Sequence, residues 1–100
     1  NIKILKGQQP LAGAKVANMS PAFAIDIGAD PFISGVIIVD LARGSPANRL
    51  RFEIGDFIRE INGHEVNSVY ELNTLLGKRT KKWSISIDRK GKIMKLEIEG

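Results

Sequence analysis

The stretch "GSPANRLRFEIGDFIREINGHEV", residues 44–66, carries the signals that decide the fold. Ser45 followed by Pro46 is a helix N-cap with a first-turn proline, and the pair predicts a short helix over residues 47–50. The segment "DFIREI" predicts a strand, and Asn62-Gly63 predicts a tight turn because both residues tolerate positive φ. The stretch offers no obvious catalytic residue, so we interpret it as a scaffold for a site elsewhere in the chain.

The flanking segments add further strands to this scaffold. "GVIIVDL", residues 35–41, is a β-branched run that predicts a strand buried on both faces. Upstream, Pro10 and Gly13 mark a loop, and "AKVANM", residues 14–19, can form an extended strand. Residues 20–31 are interpreted as an irregular connection. Near the end, "WSISIDRKGKIMKLEIE" alternates apolar and polar residues around Lys90-Gly91 and predicts a hairpin.

The clearest predicted helix is "SVYELNTLL", residues 68–76. Ser68 and Glu71 have the spacing of a capping box, and Gly77 occupies the C-cap position. Its apolar residues fall on one face at helical spacing. We therefore predict a small α+β domain, a partly open antiparallel barrel or sandwich of five to six strands with two helices.

Composition is that of one ordinary globular domain. The chain has 100 residues, of which 43% are hydrophobic and 26% charged, with a net charge of +4. The longest apolar run, residues 36–39, predicts no membrane insertion. Residues 1–10 are expected to be a linker or tail and 11–100 the domain. Because the first residue is Asn1, we expect a piece of a larger protein whose targeting segment lies elsewhere.

The sequence contains no residue pattern typical of a catalytic triad, a metal site or a phosphate-binding loop. His64 is the sole histidine, and no serine and acid are placed to complete a triad with it. The chain lacks cysteine and shows no clustered metal-ligand spacing or glycine-rich phosphate loop. We therefore predict no catalytic site, no cofactor and no metal in this chain. The basic segments "KRTKK" and "RKGK" are interpreted as solvated turns, because no aromatic stacking array accompanies them, and no nucleic-acid partner is expected.

The opening stretch resembles a bacterial PDZ domain, with its pattern "SPAxxAGLxxGDxIxxINGxxV". Ser45-Pro46-Ala47, Gly55-Asp56 and Asn62-Gly63 stand at the matching spacing, and Val66 follows. One position departs: Arg51 stands where the family has a glycine with φ > 0, so either Arg51 is left-handed or the helix ends differently. Upstream, "PLAGAKVANMS" is similar to the second, C-terminal PDZ domain of Do-type, DegP-like serine proteases of the HtrA family.

That resemblance implies a peptide-binding, regulatory domain of a hydrolase in protein quality control, in the periplasm of a Gram-negative bacterium. The protease triad would lie in a separate domain. Expected partners are peptides or unfolded segments, often C-terminal, with the protease domain and other subunits of the parent protein. PDZ grooves bind an extended segment by strand addition between a strand and a helix.

The resemblance also implies site residues by position. The loop expected to hold a peptide carboxylate comprises Leu11, Ala12, Gly13 and Ala14. The groove is expected to comprise Val16, Val69, Leu72, Asn73 and Leu76, although ordinary core packing is the competing interpretation for Leu72. The small residues Ala12 and Ala14 predict a first pocket that is either roomy or collapsed.

Two further interpretations stay open. A structural interaction domain could set the parent protease's oligomeric state without holding a free peptide; a groove filled by the chain's own residues 22–27 would favour it. An electrostatic binder of nucleic acid or anionic lipid rests only on the basic segments.

Overall fold

A computed structural model describes residues 2–28 and 34–99 of the chain. Within these residues lie seven antiparallel strands and three short helices. In chain order they are β1 (Ile2–Ile4), β2 (Ala14–Met19), α1 (Pro21–Asp26), β3 (Gly35–Leu41), α2 (Pro46–Arg49), β4 (Phe57–Ile61), β5 (His64–Glu65), α3 (Val69–Leu76), β6 (Lys82–Arg89) and β7 (Lys92–Glu99).

The strands form one sheet with the order β1-β2-β3-β4-β6-β7, and β5 pairs with β4. All the pairings are antiparallel. The long hairpin β6–β7 turns at Lys90 and Gly91, whose φ values are 53° and 84°. These angles are those of a two-residue turn that matches the twist of the flanking strands.

The main hydrophobic core lies against α3. It joins the buried faces of the central strands to the apolar stripe of the helix, and it includes the single tryptophan, Trp83. A smaller cluster contains Ala24 of α1 with Ala17, Met19 and Ile37. Because β2 alternates its side chains between two faces, Val16 enters the main core and Ala17 enters the second cluster.

Serine residues begin all three helices. The hydroxyls of Ser20, Ser45 and Ser68 each accept an N–H from the first turn, and proline follows two of them. The capping box at α3 forms only on one side. Glu71 donates its N–H to Ser68, but its carboxylate accepts the N–H of Asn67 rather than that of the cap residue.

The predicted fold class is confirmed, with two elements beyond the predicted number. Residues 21–26, predicted to be irregular, form α1; residues 29–31 of that prediction lie outside the described residues. Residues 2–4, expected to be linker or tail, form β1. Arg51 adopts a left-handed φ of 70°, so the family's backbone turn is kept without its glycine. Phe52 fills the core position that follows.

Candidate functional site

The predicted receiving strand and groove helix lie side by side. β2 spans the predicted residues 14–19, and α3 packs beside it. The side-chain oxygen of Asn18 accepts the backbone N–H of Val69 at 2.7 Å, which ties the strand to the first turn of the helix. A helix N-terminus has free N–H groups that need such acceptors. Sequence reasoning missed Asn18, because nothing in the spacing connects it to a helix 51 residues later.

The helix presents mostly buried side chains towards the strand. Val69, Leu72 and Leu76 all belong to the main core, together with Val16 of β2. The core-packing interpretation of Leu72 therefore agrees with its complete burial. Asn73 is exposed and borders a shallow surface depression shared with β1 residues and Lys15.

The predicted loop closes one end of this groove. Gly13 has a φ of 92°, and a Cβ atom added there would lie 2.1 Å from Cβ of Ser45. Only glycine fits both the backbone angle and the close approach. The carbonyl of Ala12 accepts the N–H of Ala47, and that of Gly13 accepts the N–H of Ala42, so the loop is bonded to the first turn of α2 and to the residue that follows β3. The scaffold of residues 44–50 thus positions the loop.

The chain's own β1 occupies the groove edge of β2. Ile2, Lys3 and Ile4 pair antiparallel with Ala17, Val16 and Lys15. An added antiparallel strand beside the groove helix is the geometry of strand addition. The groove is therefore filled in the same chain, by residues upstream of the loop rather than by residues 22–27, whose α1 packs into the second cluster.

Leu5 continues this added strand to the loop. Its N–H donates to the carbonyl of Ala14, and its own carbonyl accepts the N–H of Gly13, both at 2.8 Å. The Leu5 side chain is completely buried and belongs to the main core, the same cluster that contains the buried side chains of α3. Leu5 therefore lies where the first pocket is expected, and whether that pocket is roomy or collapsed for a ligand stays a prediction. The predicted ligand roles of the loop and groove residues stay predictions.

The strongest electrostatic contact lies away from the groove. Asp56, only 1% exposed, accepts two hydrogen bonds of 2.8 Å from Arg89, and this bond raises the pKa of the Arg89 guanidinium. Arg89 also donates to the carbonyl of Arg51, which holds the left-handed turn. Sequence analysis identified Asp56 only as part of the Gly-Asp pair. Its partner could not be predicted, because the arginine lies 33 residues later and the contact is tertiary.

The basic segments are partly paired. The Lys82 ammonium lies 3.2 Å from the Glu97 carboxylate, and its hydrogen bond lowers the pKa of Glu97. A cleft beside the end of α3 is lined by Leu76, Trp83 and four basic residues. The basic residues are Lys6, Lys78, Arg79 and Lys81. Residues 2–28 and 34–99 contain no group of three or more potential metal ligands and no helix that could cross a membrane.

The edge of β2 faces a helix, and a glycine loop bonded to the scaffold closes one end of the groove between them. These features define a small interaction domain with the geometry of strand addition. The family model of the PDZ domain matches residues 10–99. The chain belongs to the PDZ family, and β1 lies upstream of the matched residues.

Solved structures similar to the chain include two from HtrA-type proteins. The structure of the HtrA-type protease AlgW with a decapeptide is 27% identical, with a TM-score of 0.72, and the match covers 87% of this chain. This chain spans only 27% of that protein's chain. The HtrA3 PDZ domain bound to the phage-derived ligand FGRWV is 21% identical with a TM-score of 0.73, covering 87% of this chain and 81% of that one, and it supports the fold. No match was found among curated proteins.

Proposed function

We propose that the chain is the peptide-binding, regulatory PDZ domain of a periplasmic serine protease of the HtrA, Do-like type. The family match and the resemblance to the HtrA-type protease AlgW support this assignment. In this proposal the protease triad lies in another domain. The PDZ domain brings C-terminal or extended segments of unfolded substrates to it, as a component of protein quality control, and it contacts the protease domain and other subunits.

The observation that carries the proposal is the pairing of β1 with β2. Within one chain this edge pairs with an antiparallel strand, Gly13 donates to that strand, and the Leu5 side chain that follows it is buried in the main core, which supports the same binding mode for a ligand. A substrate segment would make the same main-chain bonds in place of β1. Such bonds are independent of sequence and supply affinity, so the sequence preference depends on the one buried side chain.

The same observation favours a second candidate function. If β1 never leaves β2, the domain holds no free peptide and acts as a structural unit in assembly of the protease. A segment tethered next to its site competes at an effective concentration of roughly millimolar. The two functions therefore differ in whether a peptide can replace Ile2–Leu5 in the groove.

An NMR titration of the labelled chain distinguishes them. The ligands are extended peptides with a leucine at the pocket position, and the control peptides carry aspartate there. The titration uses both the wild type and Leu5→Ala, which empties the pocket while keeping the rest of β1. We expect peptide-dependent shifts of the Gly13, Ala14 and Val16 amides that are larger in the variant.

A folded Leu5→Ala chain whose groove amides do not move with any leucine peptide contradicts peptide capture and favours the assembly role. Should Leu5→Ala fail to fold, Leu5→Val serves in its place, because it removes one methylene and leaves a smaller cavity. The aspartate peptides should leave both spectra unchanged, since burying an unpaired carboxylate is unfavourable.

A further inference from the structure

The loop predicted to hold a carboxylate has only one N–H directed to the groove. Leu11 donates its N–H to the side-chain oxygen of Gln9 at 2.7 Å, and Ala12 donates to the Gln9 carbonyl at 3.1 Å. Ala14 donates to the carbonyl of Leu11 at 3.0 Å. Gly13 alone donates to the added strand. Three of the four loop donors are therefore used within residues 9–14.

A terminal carboxylate needs more than one donor in a dry site. Removing an ionised carboxylate from water is costly, and the cost is offset only when several N–H groups bond to its oxygens. The acceptor at Gly13 in this structure is instead a neutral carbonyl, that of Leu5, and a single hydrogen bond satisfies a carbonyl. The loop is thus matched to a chain that continues.

The chain does continue past the pocket. After Leu5 it turns at Gly7, whose φ is 102°, and returns to Gln9. The Gln9 side chain is 8% exposed; its amide donates to the carbonyl of Lys6 at 2.9 Å while its oxygen accepts from Leu11. Gln9 therefore supplies a neutral oxygen to the loop and fixes the turn that leads out of the groove.

We propose that this groove selects an internal extended segment, with a buried leucine-sized residue followed by further residues, rather than a free C-terminus. This inference rests on the proposed function and names its class of substrate. Little else in the segment is selected, because Ile2 is 60% exposed, Ile4 is 51% exposed and Lys3 is exposed. Unfolded chains contain many such internal segments, whereas each chain has only one C-terminus.

The test compares two peptides that share the same added strand. One is NIKILKGQ with an amidated end, which repeats residues 1–8; the other is NIKIL with a free carboxylate after its leucine. Their dissociation constants are measured on Leu5→Ala and on the wild type at about 0.5 M salt, which screens the basic cleft. Competition by β1 weakens both peptides by the same factor, so the ratio of the two constants reports the site itself.

We expect the continuing peptide to bind about tenfold more tightly than NIKIL, because burying a terminal carboxylate that finds only one N–H donor is unfavourable. Equal affinity of the two peptides, or any preference for the free carboxylate, overturns the inference and leaves peptide capture intact. If neither peptide binds to a folded Leu5→Ala chain, both this inference and the proposed peptide capture are overturned. Leu5→Val replaces Leu5→Ala if that variant does not fold.

Gln9→Ala provides an independent measurement, with the exposed neighbour Gln8→Ala as its control. Removing the Gln9 side chain frees the Leu11 N–H for a ligand. In the Leu5→Ala background we expect the affinity ratio to move about tenfold towards the free carboxylate for Gln9→Ala and to stay unchanged for Gln8→Ala. An unchanged ratio in Gln9→Ala overturns the assignment of Gln9 as the group that makes the loop unsuited to carboxylates.

Discussion

Replacing Arg89 with methionine should remove a large part of the domain's stability. The Arg89 guanidinium makes two 2.8 Å hydrogen bonds to Asp56, whose side chain is 1% exposed. After Arg89→Met that carboxylate keeps only the Glu53 N–H at 2.9 Å. A buried charge that loses its partner costs about 3–5 kcal/mol. The loss of the bond to the Arg51 carbonyl adds to this cost, because Arg51 is held at positive φ.

The assay is urea unfolding followed by the fluorescence of Trp83, which is 3% exposed and is the only tryptophan. With a slope of roughly 1–3 kcal/mol per molar for small domains, the midpoint should fall by about 2 M. Arg59→Met is the matched control. Arg59 reaches Asp88 at 3.5 Å and donates to the Ser34 carbonyl at 3.2 Å. It also lies over the Phe57 ring, but its side chain is 35% exposed, so its removal should cost only about 1–2 kcal/mol.

Equal losses in Arg89→Met and Arg59→Met would refute the reasoning, because they would show that burial of Asp56 does not set the cost. A double variant tests the same point from the other side. Arg89→Met combined with Asp56→Leu removes the unpaired charge and should recover part of the lost stability, as apolar replacements of buried pairs often do. Additive losses in that double variant would show that the two side chains act independently.

Three further outcomes follow from the backbone and the hairpin. Gly13→Ala should lower the free energy of unfolding, measured in urea, by more than about 3 kcal/mol, since its Cβ would overlap the side chain of the N-cap residue of α2. The control Gly44→Ala has a φ of 75° but open space around it, so it should cost only about 1–2 kcal/mol. Equal losses in the two variants would contradict the steric argument. Arg51→Gly should raise the free energy of unfolding by up to about 1 kcal/mol by relieving the left-handed φ of 70°, and a lower thermal midpoint would contradict it. The hydrogen bond from Lys82 lowers the pKa of Glu97, so the pair's contribution to stability is present above the ordinary glutamate pKa and is lost as the pH falls through the pKa of the folded state. In Lys82→Met, an NMR titration of the carboxylate should show a higher Glu97 pKa. An unchanged pKa would exclude the bond as the cause of the lowering.

The sequence predicted the elements whose signals are local. Paired cap and proline residues, the Asn62-Gly63 turn and strict alternation each act over a few residues, and the helix and strand predictions based on them are confirmed. The left-handed turn at Arg51 could only be stated as one of two choices, because the arginine's strain is offset by the distant bond from Arg89. Contacts of that kind have no signature in residue spacing.

The role of residues 2–5 could not be predicted for a related reason. "NIKIL" is too short for its alternation to indicate a strand, and three of its four described residues remain exposed after folding. Its structure comes from the edge of β2, which supplies its hydrogen-bonding partners. Residues 2–4 therefore form a strand because they pair with β2, and their own sequence predicts only a tail.

The edge of β2 that β1 covers explains why such a segment is useful to a peptide-binding domain. An unpaired strand edge pairs readily with other chains, and proteins generally cover or disrupt it. A domain that captures extended segments must keep an edge that can pair. A covering strand that can dissociate leaves the edge able to bind a ligand, whereas a charged or kinked edge cannot pair at all. β1 has the features of a removable cover: its bonds are mainly main-chain bonds, and Leu5 alone anchors it in the core. A ligand must then match one buried leucine and the main-chain bonds, which is the same requirement that the internal-segment proposal places on a substrate.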